Sequence, residues 1–274
     1  MRHKIFLLLI FVIAVISFHS CKSKYYTVTI LHTNDTHSQI ECYTDSTGTN
    51  GGSLRRYQAI SDIRKSHSNV FLLDAGDFVQ GTPYFNLFSG DAEVELMNLM
   101  GYDAATLGNH EFDNGLDTLA LMLGKARFPV VCANYRFSHP VLDTLIKPYV
   151  IIERNGLKIG IFGLTTNLNG LTFAYTYSKL KYMDPVEVSK NIVKTLNDKG
   201  CDIIVCLSHL GYNPEPGRPM CDPILASQVN GIDLIVSGHT HIEVDTVVNN
   251  THIIQTGVRG VKLGYVTIKK SKRK

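Results

Sequence analysis

The stretch "VFLLDAGDFVQG", residues 70 to 81, begins as an unbroken apolar run and ends in carboxylates and glycines. A continuous run of this kind is expected for a strand covered on both faces, because a half-exposed strand alternates. The polar cluster then falls at the strand's carboxyl end. Similar runs lie on either side, in "YYTVTIL" (25–31), "AATLG" (104–108), "VVCAN" (130–134), "CDIIVCLS" (201–208) and "IDLIVSG" (232–238).

Helical spacing appears between the runs. Leu54, Tyr57 and Ile60 recur at steps of three. Val188, Ile192 and Leu196 recur at steps of four, with Glu187, Lys190 and Lys194 on the opposite face. Strands alternating with helices predict an α/β fold. In "VIIERNGLKIGIFGL" the Asn155-Gly156 pair joins two β-rich runs, and both residues tolerate positive φ, so a hairpin and a mixed sheet are expected. No internal repeat, low-complexity tract or linker interrupts residues 25–268, which are read as one domain.

At 274 residues and 44 % apolar, the chain is long enough to bury a sizeable core. Its start reads differently. Arg2 and Lys4 precede the apolar run Ile5 to Ile16, which is too short for an ordinary membrane span and reads as a secretion signal over residues 1–20. The ending "SFHSC" resembles a bacterial lipoprotein signal, which implies that Cys21 becomes a lipid-bearing first residue. The expected location is extracytoplasmic, anchored through that lipid and facing the periplasm.

Without residues 1–20, 25 basic side chains face 24 acidic ones, which disfavours nucleic-acid binding through a broad basic face. Lys269, Lys270, Lys272, Arg273 and Lys274 read as a frayed basic tail over 269–274. Cys42, Cys132, Cys201, Cys206 and Cys221 form no CxxC pair, and their odd number does not require a disulfide.

The polar residues gather at five strand ends. Asp35 and His37 lie in "HTNDTHSQIE", Asp74 and Asp77 in "DAGDFVQG", and Asn109 and His110 in "TLGNHEFDNG". His209 lies in "LSHLGYNPE", and His239 and His241 in "SGHTH". Carboxyl ends of strands form the ligand crevice of open α/β sheets, so these clusters are expected to converge. Asp35, His37, Asp77, Asn109, His209, His239 and His241 make a mixed oxygen and nitrogen set suited to Mn²⁺, Zn²⁺ or Fe rather than Ca²⁺. Seven ligands are too many for one ion and about right for two sharing a carboxylate. The D-x-H and H-x-H spacings, read as extended segments, put both members of each pair on one side, toward one ion. Asp74 is read as a capping or supporting group. His3, His19, His32, His67, His139 and His252 fall outside the clusters.

Together with "GGSLRR" and "IIQTGVRGVKLGYVTI", these motifs stand in the order found in calcineurin-like metallophosphoesterases, which the chain resembles over residues 26–268, and within them in the 5′-nucleotidase branch. The resemblance implies a four-layer α/β/β/α sandwich with a dinuclear metal site at the strand ends. It implies Asp35, His37 and His241 at one divalent metal, Asn109, His209 and His239 at a second, and Asp77 bridging them. It also implies that His110, paired with Asp113, faces the substrate phosphate while Asn109 serves as a metal ligand. Hydrolysis would then proceed by metal-activated water without a phosphoenzyme.

The implied function is that of a 5′-nucleotidase-type phosphomonoesterase acting on a small phosphate ester, in all expectation a nucleotide. Related activities include 2′,3′-cyclic-nucleotide phosphodiesterase and nucleotide-sugar hydrolase. Full-length enzymes of this branch carry a C-terminal domain that selects the nucleoside, and the sequence given stops at Lys274. A separately encoded C-terminal domain is therefore an expected partner. The reading from another class is a non-catalytic, metal-binding lipoprotein.

Overall fold

The computed structural model describes residues 25–46 and 48–271. The expected signal, Cys21, Lys272, Arg273 and Lys274 lie outside the described residues. In chain order the strands are β1 (Tyr25–Thr33), β2 (Cys42–Asp45), β3 (Gly48–Gly51), β4 (Val70–Asp74), β5 (Ala104–Thr106), β6 (Val130–Val131), β7 (Tyr135–Phe137) and β8 (Ile146–Lys147). They continue as β9 (Tyr149–Arg154), β10 (Leu157–Thr165), β11 (Leu180–Tyr182), β12 (Ile203–His209), β13 (Leu234–Ser237), β14 (Glu243–Val248), β15 (Thr251–Thr256) and β16 (Gly264–Ser271). The helices are α1 (Ser53–Ser66), α2 (Pro83–Phe88), α3 (Asp91–Met100), α4 (Gly115–Leu123), α5 (Pro140–Leu145), α6 (Ala174–Tyr177), α7 (Pro185–Asp198) and α8 (Asp222–Gln228).

Two six-stranded sheets result, in the orders β16-β1-β4-β5-β6-β8 and β14-β15-β13-β12-β10-β9. In the first, β16 is antiparallel to β1 and the rest are parallel. In the second, β14 and β9 are antiparallel edges on a parallel centre. Val28, Ile30, Phe71 and Leu73 of the first sheet pack against Ile159, Ile161, Val205, Leu207 and Val236 of the second. The outer face of the first sheet, with Leu31 and Leu72, is covered by Ile60, Val94, Met97 and Leu119 from helices. That of the second, with Phe162, Ile204 and Ile235, is covered by Ile192, Val193, Leu196 and Leu225. The fold is therefore the four-layer α/β/β/α sandwich. Continuous apolar runs were the right signature for it, since β1, β4, β12 and β13 each have one face against the other sheet and one against helices.

Local chemistry explains the elements. Asn155 and Gly156 take φ values of 53° and 75° between the paired Arg154 and Leu157, so the expected hairpin forms. α7 starts where Asp184 accepts the Val186 N–H at 2.8 Å, with Pro185 in the first turn.

Two expectations need correction. In α1 only Ile60 of the three-step series is buried, while Leu54 and Tyr57 are exposed. Steps of three precess around a helix instead of tracking one face, so the helix was legible and its buried face was not. Lys269 and Lys270 are not tail residues: they pair with Thr27 and Tyr26 in β16, and the Lys270 ammonium reaches Asp233 Oδ1 at 2.7 Å.

Candidate metal centre

The site lies where the carboxyl ends of the two sheets meet. β1, β4 and β5 bring in Asp35 and His37, Asp77, and Asn109 from the first sheet, while β12 and β13 bring in His209, His239 and His241 from the second. Backbone bonds lock the loops together: Asp35 N–H donates to Gly76 O at 2.9 Å and His37 N–H to Asp77 O at 3.0 Å. Gly76 and Gly108 are required here. A Cβ on Gly76 would overlap the Gly108 nitrogen, and one on Gly108 would overlap the Asp77 carboxylate. Across the seam, His209 Nδ1 is 2.7 Å from Ala75 O, and His239 N–H donates to the Asp35 carboxylate at 3.0 Å.

Six of the seven sequence candidates converge as two groups. Ligand atoms of Asp35, His37, Asp77 and His241 lie within 4.8 Å of one another, and so do those of Asp77, His209 and His239. Asp77 belongs to both groups. His209 Nε2 is 3.1 Å from Asp77 Oδ2, His241 Nε2 is 3.4 Å from Asp35 Oδ1, and the Nε2 atoms of His37 and His241 are 3.0 Å apart.

The spacing argument was wrong in its geometry. Asp35, His37, His239 and His241 are not on extended segments; their φ values are 48°, 47°, 75° and 56°. With Asp77 at 53°, five candidate ligands sit in the left-handed region, which costs energy for residues with a Cβ and concentrates at functional sites. His239 and His241 accordingly diverge, one into each group, instead of sharing one position.

The chemistry of these donors fits a pair of divalent cations. Asn109 Oδ1 and His209 Nε2 are buried without a hydrogen bond among the described residues, a costly arrangement unless something else engages them. Charge in the protein without ions agrees. Burial alone would depress the His209 imidazole, but the carboxylates of Asp77 and Asp35 beside it raise it to about 10. Burial likewise opposes ionisation of Asp77, yet His209, with His110 and His37, holds it below the usual carboxylate range. A proton on His209 thus supplies some of the positive charge that a cation would bring. His37 and His239 are pushed down by burial, which favours the neutral rings a metal needs.

Beside the two groups, His110 Nδ1 is 2.7 Å from Asp113 Oδ2, and its ring is half-buried. Burial works against its charge, and the Asp113 bond together with the nearby charges of Asp77 and Asp113 outweighs it, so His110 is raised above its ordinary value. The His110 N–H donates to Asp77 Oδ1 at 2.9 Å, which fixes this turn to the shared carboxylate. The ring lies edge-on to His37, with centroids 5.3 Å apart.

Sequence reasoning left three residues without a role. Glu111, buried, accepts the N–H groups of Asp77, Phe78 and Gly108 at 3.1, 2.9 and 2.5 Å and so clamps two ligand loops. Burial and then nearby Asp77 push its carboxyl up to about 8. Its position directly after Asn109 and His110 was the available clue. Asp222, at the start of α8, accepts the Ser208 hydroxyl at 2.5 Å and also that of Ser237; nothing in its local sequence marks it. Glu215 stands 3.3 Å from His239 Nε2. Asp74, read as a supporting group, joins neither cluster; it accepts the Thr33 hydroxyl at 2.6 Å and the Gly76 N–H at 2.9 Å.

Known proteins share this arrangement of motifs and fold. The calcineurin-like phosphoesterase profile matches residues 28–243. The snake venom 5′-nucleotidase of Naja atra is 39 % identical over 224 residues, covering 78 % of this chain and 41 % of the relative. The trifunctional nucleotide phosphoesterase protein YfkN of Bacillus subtilis (strain 168) is 34 % identical, covering 88 % of this chain and 18 % of its own length. The crystal structure of a 5′-nucleotidase precursor from Thermus thermophilus superposes with a TM-score of 0.80 at 34 % identity, over 89 % of this chain and 51 % of that one. The chain therefore spans about half or less of these longer proteins. With the profile running from β1 to the start of β14, through every loop of the candidate site, the chain belongs to the calcineurin-like phosphoesterase family.

Proposed function

We propose that this chain hydrolyses phosphomonoesters of nucleotides with two bound divalent metal ions. The observation that carries the reading is the His110–Asp113 pair, 2.7 Å apart, held at the edge of two ligand groups that share Asp77. Asp35, His37, Asp77 and His241 would hold one ion, and Asp77, Asn109, His209 and His239 the other. Ions bound there supply a water of lowered pKa and positive charge for the phosphate oxygens.

The chain's own residues do the rest. Asp113 fixes one nitrogen of His110 and favours the cationic ring. The other nitrogen then holds a proton that can be donated to a phosphoryl oxygen or to the departing oxygen of the ester. Asp77, through the His110 N–H, keeps this proton at a set distance from the ligand groups. Glu111 keeps the two loops from separating.

The nucleotide assignment draws on the 5′-nucleotidase named among the relatives, and a second reading draws on the trifunctional nucleotide phosphoesterase: a broader activity that includes cyclic nucleotides or nucleotide sugars. A separate C-terminal domain as selectivity partner is supported by the greater length of the relatives. The deciding assay compares AMP, a 2′,3′-cyclic nucleotide and an aryl phosphate, using metal-free protein and then Mn²⁺ or Zn²⁺. Metal-dependent turnover with AMP preferred is expected. Two bound ions with no turnover of any ester would instead favour a non-catalytic, metal-binding role.

The same proposal places the chain outside the cytoplasm, with Cys21 lipidated. No helix among the described residues is long and apolar enough to cross a membrane. Mass spectrometry of the mature N-terminus should find a diacylglyceryl cysteine at Cys21, and a Cys21→Ser chain should leave the membrane fraction; an unmodified N-terminus in the wild type would refute the anchor.

A further inference from the structure

Each histidine of the site has one nitrogen toward the ligand groups and another that must be fixed by something else. For His37 the outer nitrogen, Nδ1, is 3.1 Å from Gln80 O, and for His209 it is 2.7 Å from Ala75 O. His239 has no such carbonyl. Its Nε2 is buried without a hydrogen bond, and the charged atom beside it is Glu215 Oε1 at 3.3 Å, within ion-pair distance and short of hydrogen-bond alignment.

Glu215 is held there by construction. It lies in the loop between β12 and α8, where Glu215 and Arg218 form a two-bonded backbone bridge, N–H to O at 3.0 and 2.9 Å. Gly217, with φ of 76°, closes the turn inside that bridge. The Arg218 guanidinium takes the other carboxylate oxygen, Oε2, through Nε at 3.2 Å, and its Nη1 donates to Asn169 O at 3.3 Å. Oε1 is therefore left for His239, and the loop is tethered to the segment after β10.

We propose that Glu215 is the positioning carboxylate of the second metal position, taking the Nε2 hydrogen of His239 so that the Nδ1 lone pair serves the ion. A histidine that ligates a metal commonly donates its other ring N–H to a carboxylate or carbonyl, which sets the tautomer and raises its basicity. His37 and His209 use carbonyls for this, and His239 uses a negative charge. The inference rests on the reading of His239 as a ligand. It assigns to the β12–α8 loop the tuning of one ion without the other.

The test needs no substrate. Metal-free wild type, Glu215→Ala, Glu215→Gln and Arg218→Ala are titrated with Co²⁺ by calorimetry, and the visible spectrum is followed at each equivalent. Glu215→Ala should weaken one of two equivalents by about 10–100-fold, with a changed Co²⁺ spectrum, and leave the other equivalent as in wild type. Glu215→Gln keeps an acceptor oxygen and should lose less; Arg218→Ala, which only loosens the carboxylate, should lose least. Two equivalents bound by Glu215→Ala with wild-type affinity and spectrum would overturn the proposal. Because the readout is binding, wild type that binds two ions yet hydrolyses nothing defeats the catalytic reading and leaves this one standing.

Discussion

The two sheets make unlike halves of the site. The first contributes the carboxylates of Asp35 and Asp77 with one imidazole, His37, and holds the candidate ligand Asn109; the second contributes imidazoles only, from His209, His239 and His241. Each half nevertheless stands on a buried carboxyl outside both ligand groups. Asp74 sits under the first, bonded to the Thr33 hydroxyl and the Gly76 N–H, and Asp222 under the second, bonded to the hydroxyls of Ser208 and Ser237. Alone, the first half would gather carboxylates with little counter-charge, and the second would lack the Ala75 carbonyl that fixes His209 and the Asp35 carboxylate that holds the His239 N–H. The seam between sheets is what makes a site, and His209 against Asp77 is its charge balance. That balance exists only when the inter-sheet core is packed, so folding and metal readiness are the same event.

Removing the shared carboxylate should break both halves at once. Asp77→Asn is expected to abolish stoichiometric binding of both ions, with metal-dependent turnover falling to background. It also strips His209 of its buried partner, which costs the metal-free protein on the order of 3 kcal/mol. Elemental analysis after dialysis and denaturant unfolding measure the two effects; retention of one tightly bound ion would show that Asp77 serves a single half. His110→Ala, by contrast, removes no candidate ligand. It should keep two ions and lower kcat by about 10²–10⁴-fold, the range for a lost proton donor. Full activity in that variant would remove His110 from the chemistry.

The two halves were unequally legible in the sequence. The candidate ligands announced themselves because Asp, Asn and His at strand ends are out of place in a hydrophobic layer unless something uses them. Their grouping did not, because it depends on the left-handed turns at Asp35, His37, Asp77, His239 and His241, and spacing read as extended chain paired His239 with His241 wrongly. Strands were legible as apolar runs, but which sheet each joins depends on non-local pairing that no window of sequence contains. Glu215 and Asp222 went unread for a related reason. Their partners, His239 in one case and Ser208 and Ser237 in the other, lie about 14 to 24 residues away and meet them only through packing of α8 and its loop.

The symmetry of the two supporting carboxyls can be broken by pH. Burial raises both Asp74 and Asp222 to about 7, against an ordinary value of 3.8. Between those values the unfolded chain has released each proton and the folded one retains it, so stability falls as pH rises from about 4 to 7. Above that window the loss is complete. The slope is at most about 1.4 kcal/mol per pH unit for each group. Asn mimics the protonated acid: at position 222 its oxygen accepts one serine hydroxyl and its amide donates to the other, and at position 74 its oxygen accepts the Gly76 N–H and its amide donates to the Thr33 hydroxyl. Asp222→Asn and Asp74→Asn should therefore each flatten the pH dependence of unfolding in metal-free protein by a similar amount, and the double variant by the sum. Glu111, raised to about 8, contributes to the same slope in all of them and cancels in the difference. His209, raised to about 10, contributes stability that is fully present below its ordinary 6.5 and is lost as pH rises beyond it; wild type and variants share this loss, so it cancels in the difference. If only one substitution flattened the curve, the other carboxyl would already be ionised in the folded protein, and the half above it would be bearing a fixed negative charge that its partner half lacks.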